Sequence, residues 1–297
     1  MRIFVTGATG FIGSAIIEDL IEAGHQVLGL ARNAEAAAVL DGRGIAAHLG
    51  DVSAPDSLAA AARICDGVIH TAFIHNFADI ATSGKIDKAA VQAMGEALAG
   101  SGKPLVITSG TAVLPAGVEG REDDTPDPES AGKHRIPSEQ TALAMAVRGV
   151  RASVLRLPPS VHGDGDHGFV PALIAAARAT GVSAYIGDGG TRWPAVHRLD
   201  AARLFRLVLE NGAAGACYHA AAEDGVPTRE IAEVIGRRLN LPVVAKSPAE
   251  AATHFGWLAH FFGRDCPASS AQTRQELDWR PSHAGLIADL DRPAYFN

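Results

Sequence analysis

Thr6-Gly7-Ala8-Thr9-Gly10-Phe11-Ile12-Gly13 follows directly on the apolar run Arg2-Ile3-Phe4-Val5, which predicts a short β-strand. After the glycines, apolar residues recur at helical spacing, which predicts a helix over 12–23 with Gly24 at its C-terminal cap. In this context the glycines provide a tight turn, a close backbone approach to a pyrophosphate, and helix-to-strand packing. The helix N-terminus favours the negative charge. The stretch therefore predicts a dinucleotide-binding site.

Composition excludes several classes of protein. The net charge is −7 with no cluster of Lys or Arg, which argues against nucleic acid as a partner. Apolar residues make up 47 %, much of it alanine, and no apolar run reaches about 18 residues, so we expect no membrane segment and no signal peptide. Cys65, Cys217 and Cys266 are scattered, which predicts no metal site and a reduced, cytoplasmic setting.

The chain alternates short β-branched runs with alanine-rich helical stretches, which is typical of an α/β protein with helices on both faces of a parallel sheet. Strands are predicted at 2–6, 26–30, 45–49, 67–71, 104–108 and 152–157. The acidic segment 119–128 is predicted to be a surface loop, followed by a helix from Pro137 to about Arg148. Beyond about residue 160, Gly, Pro and His punctuate the chain, and a helix at 228–239 has Thr228 as its N-cap.

This rhythm divides the chain into two parts. We expect a nucleotide-binding domain over 1–160, with a return to the main sheet within 193–222. A smaller mixed α/β C-terminal lobe, which would bind the substrate, is expected over 161–192 and 223–297.

The end of the second strand selects the cofactor. An NAD site usually places Asp or Glu there to bind the ribose 2′-hydroxyl, but this chain has Ala31 and then Arg32. Alanine removes the carboxylate that would repel a 2′-phosphate, and arginine supplies a fork suited to bind one. We therefore expect NADP(H) in preference to NAD(H), although Arg32 pointing to solvent is the alternative.

Several ordered motifs resemble the extended short-chain dehydrogenase/reductase family, in its NAD-dependent epimerase/dehydratase-like branch. They are the glycine stretch, Gly50-Asp51-Val52, Val68-Ile69-His70-Thr71-Ala72, Leu155-Arg156-Leu157-Pro158, Gly187-Asp188-Gly189 and Val196-His197-Arg198-Leu199-Asp200. The resemblance implies a Rossmann fold, a doubly wound parallel sheet. It assigns the cofactor to Gly7, Thr9, Gly10, Phe11, Ile12, Gly13, Asp51, Val52, Thr71, Ala72, Phe73, Pro158 and Val161, and the substrate to the stretch around Trp193 and His197.

The family's catalytic Tyr-x-x-x-Lys pair does not carry over. None of the three tyrosines has a lysine four residues on. By resemblance, Arg135 stands in place of the tyrosine and Glu139 in place of the lysine, so the chain is identified as an atypical member. The family's Ser or Thr falls beside Ser109 and Thr111.

Arginine stays protonated at any working pH, so Arg135 is expected to orient or polarise a carbonyl and not to exchange a proton. His134 or a bound water is the predicted proton donor near neutral pH, with His70, His162 and His167 as further candidates. The alternatives are structural. Arg135 and Glu139 would form an exposed ion pair, His134 would be a loop residue, His70 would be structural, and Trp193 would pack between the lobes.

Two classes of function follow. The first is an NADP(H)-dependent oxidoreductase for a small carbonyl or alcohol, with an epimerase or dehydratase as a variant. The second is a non-catalytic NADP(H)-binding sensor or partner-binding protein. A small-molecule substrate is expected, and the resemblance also implies a possible homodimer.

Overall fold

A seven-stranded parallel sheet forms the centre of the protein, in a computed structural model that describes residues 1–297 apart from the side chain of Phe77. In chain order its strands are β1 Arg2–Thr6, β2 Gln26–Ala31, β3 Ala46–Leu49, β4 Gly67–His70, β5 Pro104–Gly110, β6 Arg151–Leu157 and β10 Cys217–His219. In space they run β10-β6-β5-β4-β1-β2-β3. The strand order therefore reverses between β1 and β4, the point at which such sheets bind ligands.

Helices cover both faces of this sheet. They are α1 Phe11–Glu22, α2 Ala34–Asp41, α3 Pro55–Arg63, α4 Ile80–Ala97, α5 Ile136–Ala144 and α7 Arg198–Asn211. Ile3 and Val5 point into the core under α1 and α7, whereas Phe4 between them points into the core under α3, α4 and α5. This alternation is the period of a strand buried on both faces. The Rossmann fold implied by the resemblance is confirmed.

A smaller lobe is built on two further sheets. One contains β7 Ser160–His162, β9 Arg192–His197 and β11 Glu223–Pro227, and the other pairs β8 Ser183–Ile186 with β12 Val243–Lys246. Its helices are α6 Phe169–Thr180, α8 Thr228–Leu239, α9 Pro248–Phe255, α10 Ala259–Phe262 and α12 Leu286–Leu290, whereas α11 Ala271–Leu277 packs against α7 and β10 of the main sheet. This lobe has its own aromatic core around Trp193 and Phe262.

Three local predictions need correction. Pro227, not Thr228, precedes the first turn of α8, because the Thr228 hydroxyl pairs instead with the Thr191 hydroxyl at 2.8 Å. The helix expected to reach Arg148 ends at Ala144 and continues as a 3-10 turn. The acidic loop 119–128 is not wholly at the surface, since the carboxylate of Glu122 is buried and accepts two hydrogen bonds from Thr273. In the part of the chain that is described, no helix has the length and apolarity to cross a membrane.

Candidate functional site

The glycine loop is shaped by backbone that only glycine tolerates. Gly7 has a φ of +69°, and a Cβ there would lie 2.5 Å from Oγ1 of Thr71 and 3.0 Å from the backbone nitrogen of Ala72. A Cβ on Gly13 would overlap the carbonyl oxygen of Gly7. The N–H of Gly10 donates to that same oxygen at 2.9 Å. The loop is therefore pressed against both α1 and the end of β4, as a close approach to a ligand requires.

The N-terminus of α1 is open to an anion. Gly10 precedes it, and among the described side chains none caps its N–H groups and no acidic residue lies in its first turn. The ring of Phe11 has two neighbours: the guanidinium of Arg198 lies 5.0 Å from its centre, and the centre of the His167 ring lies 5.7 Å from it. Thr9 and Ile12 flank this same helix end. These features fit a dinucleotide pyrophosphate, which the N–H groups of α1 would hold.

The adenosine end of the site lies after β2 and β3. Ala31 is buried, Arg32 is exposed, and the described ion pairs leave Arg32 without a carboxylate partner. Hydrogen bonds from Ser53 and the nearby Arg32 charge hold the pKa of Asp51 below its usual value. Asn33 caps α2 by accepting from the N–H of Ala36 at 2.8 Å. The guanidinium of Arg32 is thus available to a ligand.

The remaining predicted cofactor residues lie at the carboxyl edge of the main sheet. Val52 follows β3, Pro158 follows β6, and Thr71, Ala72 and Phe73 follow β4, with Val161 in β7. The N–H groups of Thr71 and Ala72 each donate to Oγ1 of Thr6 at 3.1 Å, which joins the ends of β4 and β1. The structure therefore brings these residues to one edge, beside the glycine loop.

Arg135 lies in a 3-10 turn, Lys133–Arg135, immediately before α5. Its side chain is buried, and its guanidinium pairs with the carboxylate of Asp87 at 3.2 Å. One N–H donates to the carbonyl oxygen of Thr108, and the guanidinium carbon lies 4.3 Å from the centre of the Phe73 ring. Arg135 is thus anchored to α4, to β5 and to the segment after β4.

A buried hydrogen-bonded chain links Arg135 to the glycine loop. Nε2 of His70 lies 3.1 Å from the same carboxylate oxygen of Asp87, and Nδ1 of His70 lies 2.7 Å from Oγ1 of Thr6. Burial alone would raise the pKa of Asp87, but Arg135, His70 and Ser138 outweigh it and hold that pKa below its usual value. Burial lowers the pKa of Arg135, although a guanidinium remains charged in proteins. His70 is structural, as the family resemblance implies.

Glu139 does not pair with Arg135 in an exposed ion pair, which corrects that alternative. Both residues are buried. The Glu139 carboxylate accepts two hydrogen bonds from Arg156, at 3.1 and 2.9 Å. Nε2 of His219 lies 3.4 Å from the same guanidinium, and burial lowers the pKa of His219 to about 4. Glu139 therefore joins α5 to β6.

His134 does not have the pKa expected of a proton donor near neutral pH. Burial and the neighbouring charge of Arg135 lower its pKa to about 4, so its ring is neutral at pH 7. The ring is half-buried and lies 5.7 Å from that of Phe73. A Cβ on Gly84 would lie 2.5 Å from the carbonyl oxygen of His134, so α4 approaches this turn closely. His134 is thus half-buried and not a solvent-facing loop residue, and its lowered pKa disfavours an imidazolium acid near neutral pH; its role in proton transfer stays a prediction.

Ser109 and Thr111 lie at the end of β5, beside the Thr108 carbonyl that Arg135 binds. Both are buried, and neither hydroxyl has a hydrogen-bond partner among the described atoms. Buried hydroxyls without partners are uncommon in folded proteins. The hydrogen-bonding capacity of these two hydroxyls is therefore unused within the described part of the chain.

The two predicted substrate residues, Trp193 and His197, both lie in β9 and have different neighbours. Trp193 is fully buried, and its indole N–H donates to the carbonyl oxygen of Phe261 at 3.2 Å, so it packs within the smaller lobe and not between the lobes as the structural alternative expected. The ring of His197 stacks on His283 at 4.6 Å and contacts the buried His162 at 5.4 Å. His162 in turn pairs with Asp289 at 2.9 Å, which gives it a structural role.

Sequence reasoning missed Asp87 and His75. Asp87 lies between two exposed lysines of α4, where an acid usually faces solvent. His75 follows the Phe73 segment, and its ring lies 5.2 Å from that of Phe73. Desolvation and the Arg135 charge lower the pKa of His75. The position of His75 two residues after a predicted cofactor segment was its only signal.

A cavity of about 700 Å³ lies between α4, the 129–137 segment and the α9–α10 region. His134 lines it, with Ile80, Gly84, Pro137, Trp257 and Phe261 among the other residues. A volume of this size is typical of small-molecule sites.

Comparison with known proteins agrees with this geometry. Residues 3–222 match the model of the NAD dependent epimerase/dehydratase family. The chain is 51 % identical to an uncharacterized protein of Schizosaccharomyces pombe over the whole of both chains. It is 30 % identical to the 2-alkyl-3-oxoalkanoate reductase of Stenotrophomonas maltophilia, over 83 % of this chain and 78 % of that protein.

Among solved structures, dTDP-glucose 4,6-dehydratase of Streptomyces venezuelae with NAD bound has the same fold. The TM-score is 0.80 at 21 % identity, over 100 % of this chain and 97 % of that one. The protein therefore belongs to the NAD dependent epimerase/dehydratase family of extended short-chain dehydrogenases/reductases.

Proposed function

We propose that the protein is an NADP(H)-dependent reductase of a small carbonyl compound, in which Arg135 binds the carbonyl oxygen. The observation that carries the proposal is the buried, charged guanidinium of Arg135 at the carboxyl edge of the sheet. Of its five N–H donors, the described contacts to Asp87 and Thr108 use two. The Stenotrophomonas relative, named a reductase of oxoalkanoates, supports the same class of reaction.

When bound, the reduced nicotinamide supplies a hydride to the carbonyl carbon. Arg135 stabilises the negative charge that develops on the carbonyl oxygen, because donors that are already fixed in place need no reorganisation as that charge forms. Asp87 keeps the guanidinium in place and balances its charge. The hydroxyls of Ser109 and Thr111 would donate further hydrogen bonds to the substrate.

The proton that completes reduction does not come from Arg135, which cannot lose one at working pH. It does not come from an imidazolium at position 134 either, because the pKa of His134 is about 4. We propose that a water molecule reaching the oxygen through the adjoining cavity supplies it.

Two features support NADP(H) over NAD(H). Position 31 carries alanine and no carboxylate, and the guanidinium of Arg32 is exposed and in none of the described ion pairs. A guanidinium binds a phosphate in a bidentate manner, whereas a ribose hydroxyl pair is better matched by a carboxylate.

A second candidate is a non-catalytic NADP(H)-binding protein. The observation that favours it is the anchoring of Arg135 by Asp87, Thr108 and Phe73, an arrangement that a purely structural ion pair would also show.

The test measures NADPH consumption near 340 nm with a panel of ketones, aldehydes and oxoalkanoates. We expect Arg135→Lys to fold and to bind NADPH, because the cation beside Asp87 is kept. Its kcat/KM should fall about 100-fold, the effect of removing one oxyanion donor. Arg148→Lys, at an exposed position, is the matched control. Unchanged turnover in Arg135→Lys refutes the role of Arg135, and tight NADPH binding with no turnover across the panel favours the second candidate.

A further inference from the structure

The lysines of this acidic chain are concentrated at one place. The sequence has only five lysines against a net charge of −7, and three of them, Lys85, Lys88 and Lys133, line the 700 Å³ cavity beside His134. The other two, Lys103 and Lys246, do not line it. Three of the five lysines therefore lie around one opening.

The walls of this cavity are otherwise largely apolar. Ile80 and Ala81 contribute from the first turn of α4, Pro137 from the start of α5, and Trp257 and Phe261 from the region of α9 and α10. Phe169 supports the two aromatic residues from behind, with ring centres 5.5 Å from Trp257 and 5.2 Å from Phe261. The cavity therefore offers a supported aromatic wall to an apolar ligand.

The charge at the cavity is unbalanced. Lys133 pairs with Glu129 at 3.3 Å, and Glu129 is the only carboxylate among the described lining residues. Lys85 and Lys88 are exposed, lie one helical turn apart on α4, and take part in none of the described ion pairs within 4 Å. His134 adds no charge at neutral pH, since its pKa is about 4. Asp79, which does not line the cavity, lies near enough for the charge of Lys85 to lower its pKa, but the two form no ion pair within 4 Å among the described residues. The lining itself thus carries three lysines against the single carboxylate of Glu129, an excess of positive charge beside an apolar wall.

We propose that this cavity binds an alkyl carboxylate, with its chain against Trp257 and Phe261 and its carboxylate at Lys85 and Lys88. The apolar wall excludes a small inorganic anion as the natural occupant, and the lysine pair excludes a neutral or cationic amphiphile. The cavity adjoins His134, the neighbour of Arg135, so a carbonyl group near one end of the ligand lies toward the proposed reducing site. Identifying this ligand as the substrate rests on the proposed function, whereas its binding does not.

Tryptophan fluorescence tests binding without any turnover. Trp193 and Trp279 are fully buried, whereas Trp257 is 47 % exposed and lines the cavity, so Trp257 reports on occupancy. Decanoate, decanol and decyltrimethylammonium are titrated below their micelle concentrations. We expect decanoate to bind about fivefold more tightly than decanol, as two partly exposed ion pairs would give, and the ammonium to bind most weakly. The preference for decanoate should shrink as salt is raised.

Variants show which tryptophan gives the fluorescence change and which lysines bind the carboxylate. Trp257→Phe should abolish the fluorescence change. The double variant Lys85→Gln/Lys88→Gln should bind decanoate and decanol equally, while the matched double variant Lys103→Gln/Lys246→Gln should keep the preference.

Three results overturn the inference. The first is equal binding of decanoate and decanol by the unaltered protein, and the second is a preference for decanoate that survives in Lys85→Gln/Lys88→Gln. The third is a change of Trp257 fluorescence with protein concentration together with a dimer seen in sedimentation, which would mean that a second copy of the chain covers the cavity. Selective decanoate binding without turnover of any oxoalkanoate would leave this inference standing and refute the reductase. Turnover of an oxoalkanoate without selective binding of decanoate would refute this inference and leave the reductase standing.

Discussion

Replacing Asp87 by asparagine tests whether the buried ion pair with Arg135 holds the site together. The carboxylate is almost fully buried, lies 3.2 Å from the guanidinium of Arg135, and lies 3.1 Å from the imidazole of His70. Asparagine has nearly the same size, so the substitution removes the charge without opening a cavity. It leaves the guanidinium of Arg135 buried with no adjacent carboxylate.

The expected cost follows from that uncompensated charge. Breaking a buried ion pair by removing one partner typically costs about 3–5 kcal/mol, whereas removing both partners costs much less. Asp87→Asn should therefore lower the free energy of unfolding by about 3–5 kcal/mol. The double variant Asp87→Asn/Arg135→Met should be more stable than Asp87→Asn alone, because no buried charge is then left unpaired.

Urea unfolding, followed by far-UV circular dichroism at pH 7, measures both effects in a double-mutant cycle. Asp123→Asn is the matched control, since Asp123 is exposed and in none of the described ion pairs. We expect it to change the free energy of unfolding by less than about 0.5 kcal/mol. The reasoning is refuted if Asp87→Asn lowers the free energy of unfolding by less than about 1 kcal/mol. It is also refuted if the effects of Asp87→Asn and of Arg135→Met alone simply add in the double variant.

Three further outcomes are expected. Gly84→Ala places a Cβ 2.5 Å from the carbonyl oxygen of His134 and should displace the turn that carries Arg135, so kcat/KM should fall while NADPH affinity, measured by calorimetry, is kept. Arg32→Glu should weaken NADPH binding by about tenfold or more and leave NADH binding unchanged or improved, as titrations of both cofactors would report. The pKa of His219 is lowered to about 4 from an unfolded value near 6.5, so between these pH values the folded protein binds fewer protons than the unfolded chain. The free energy of unfolding should therefore fall by up to about 3 kcal/mol as pH falls from 6.5 to 4. His219→Gln should flatten this dependence on pH, as measured by urea unfolding at a series of pH values.

Each of these outcomes has a control or a contrary result. Arg148→Glu carries the same charge change as Arg32→Glu at an exposed site away from the glycine loop, and should leave both cofactor affinities unchanged. His260→Gln, also at an exposed position, should leave the slope of stability against pH as it is. Loss of NADPH affinity in Gly84→Ala, or an unaltered slope in His219→Gln, would contradict the corresponding argument.

The elements of the fold could be predicted from local sequence because their signals are local. The six strands given bounds in advance begin and end within two residues of them, since β-branched runs bounded by glycine and polar residues determine them. Gly7 and Gly13 identified the loop because no other residue tolerates their backbone and packing. At such positions the residue type alone indicates the local structure.

The polar centre of the site could not be predicted in the same way, because its partners are distant in sequence. Asp87 sits between Lys85 and Lys88, and only the packing of α4 against the turn before α5 shows that it points inward. The low pKa of His134 likewise results from burial and from the charge of Arg135, not from the sequence around it. Family resemblance identified the position of Arg135 but gave no partner for it.

The structure also explains why Arg135 and Glu139 cannot be treated as a tyrosine and a lysine that were merely lost. Arg135→Tyr would remove the cation that balances the buried Asp87. Glu139→Lys would place a second cation against Arg156, whose guanidinium now makes two hydrogen bonds to Glu139. Each reversion therefore leaves a buried charge without its partner. The two changes are coupled, because the charge of Glu139 acts on Arg135 as well as on Arg156, so Glu139→Lys would remove an attraction from both guanidinium groups. A return to tyrosine and lysine at positions 135 and 139 would therefore require Asp87 and Arg156 to change with them.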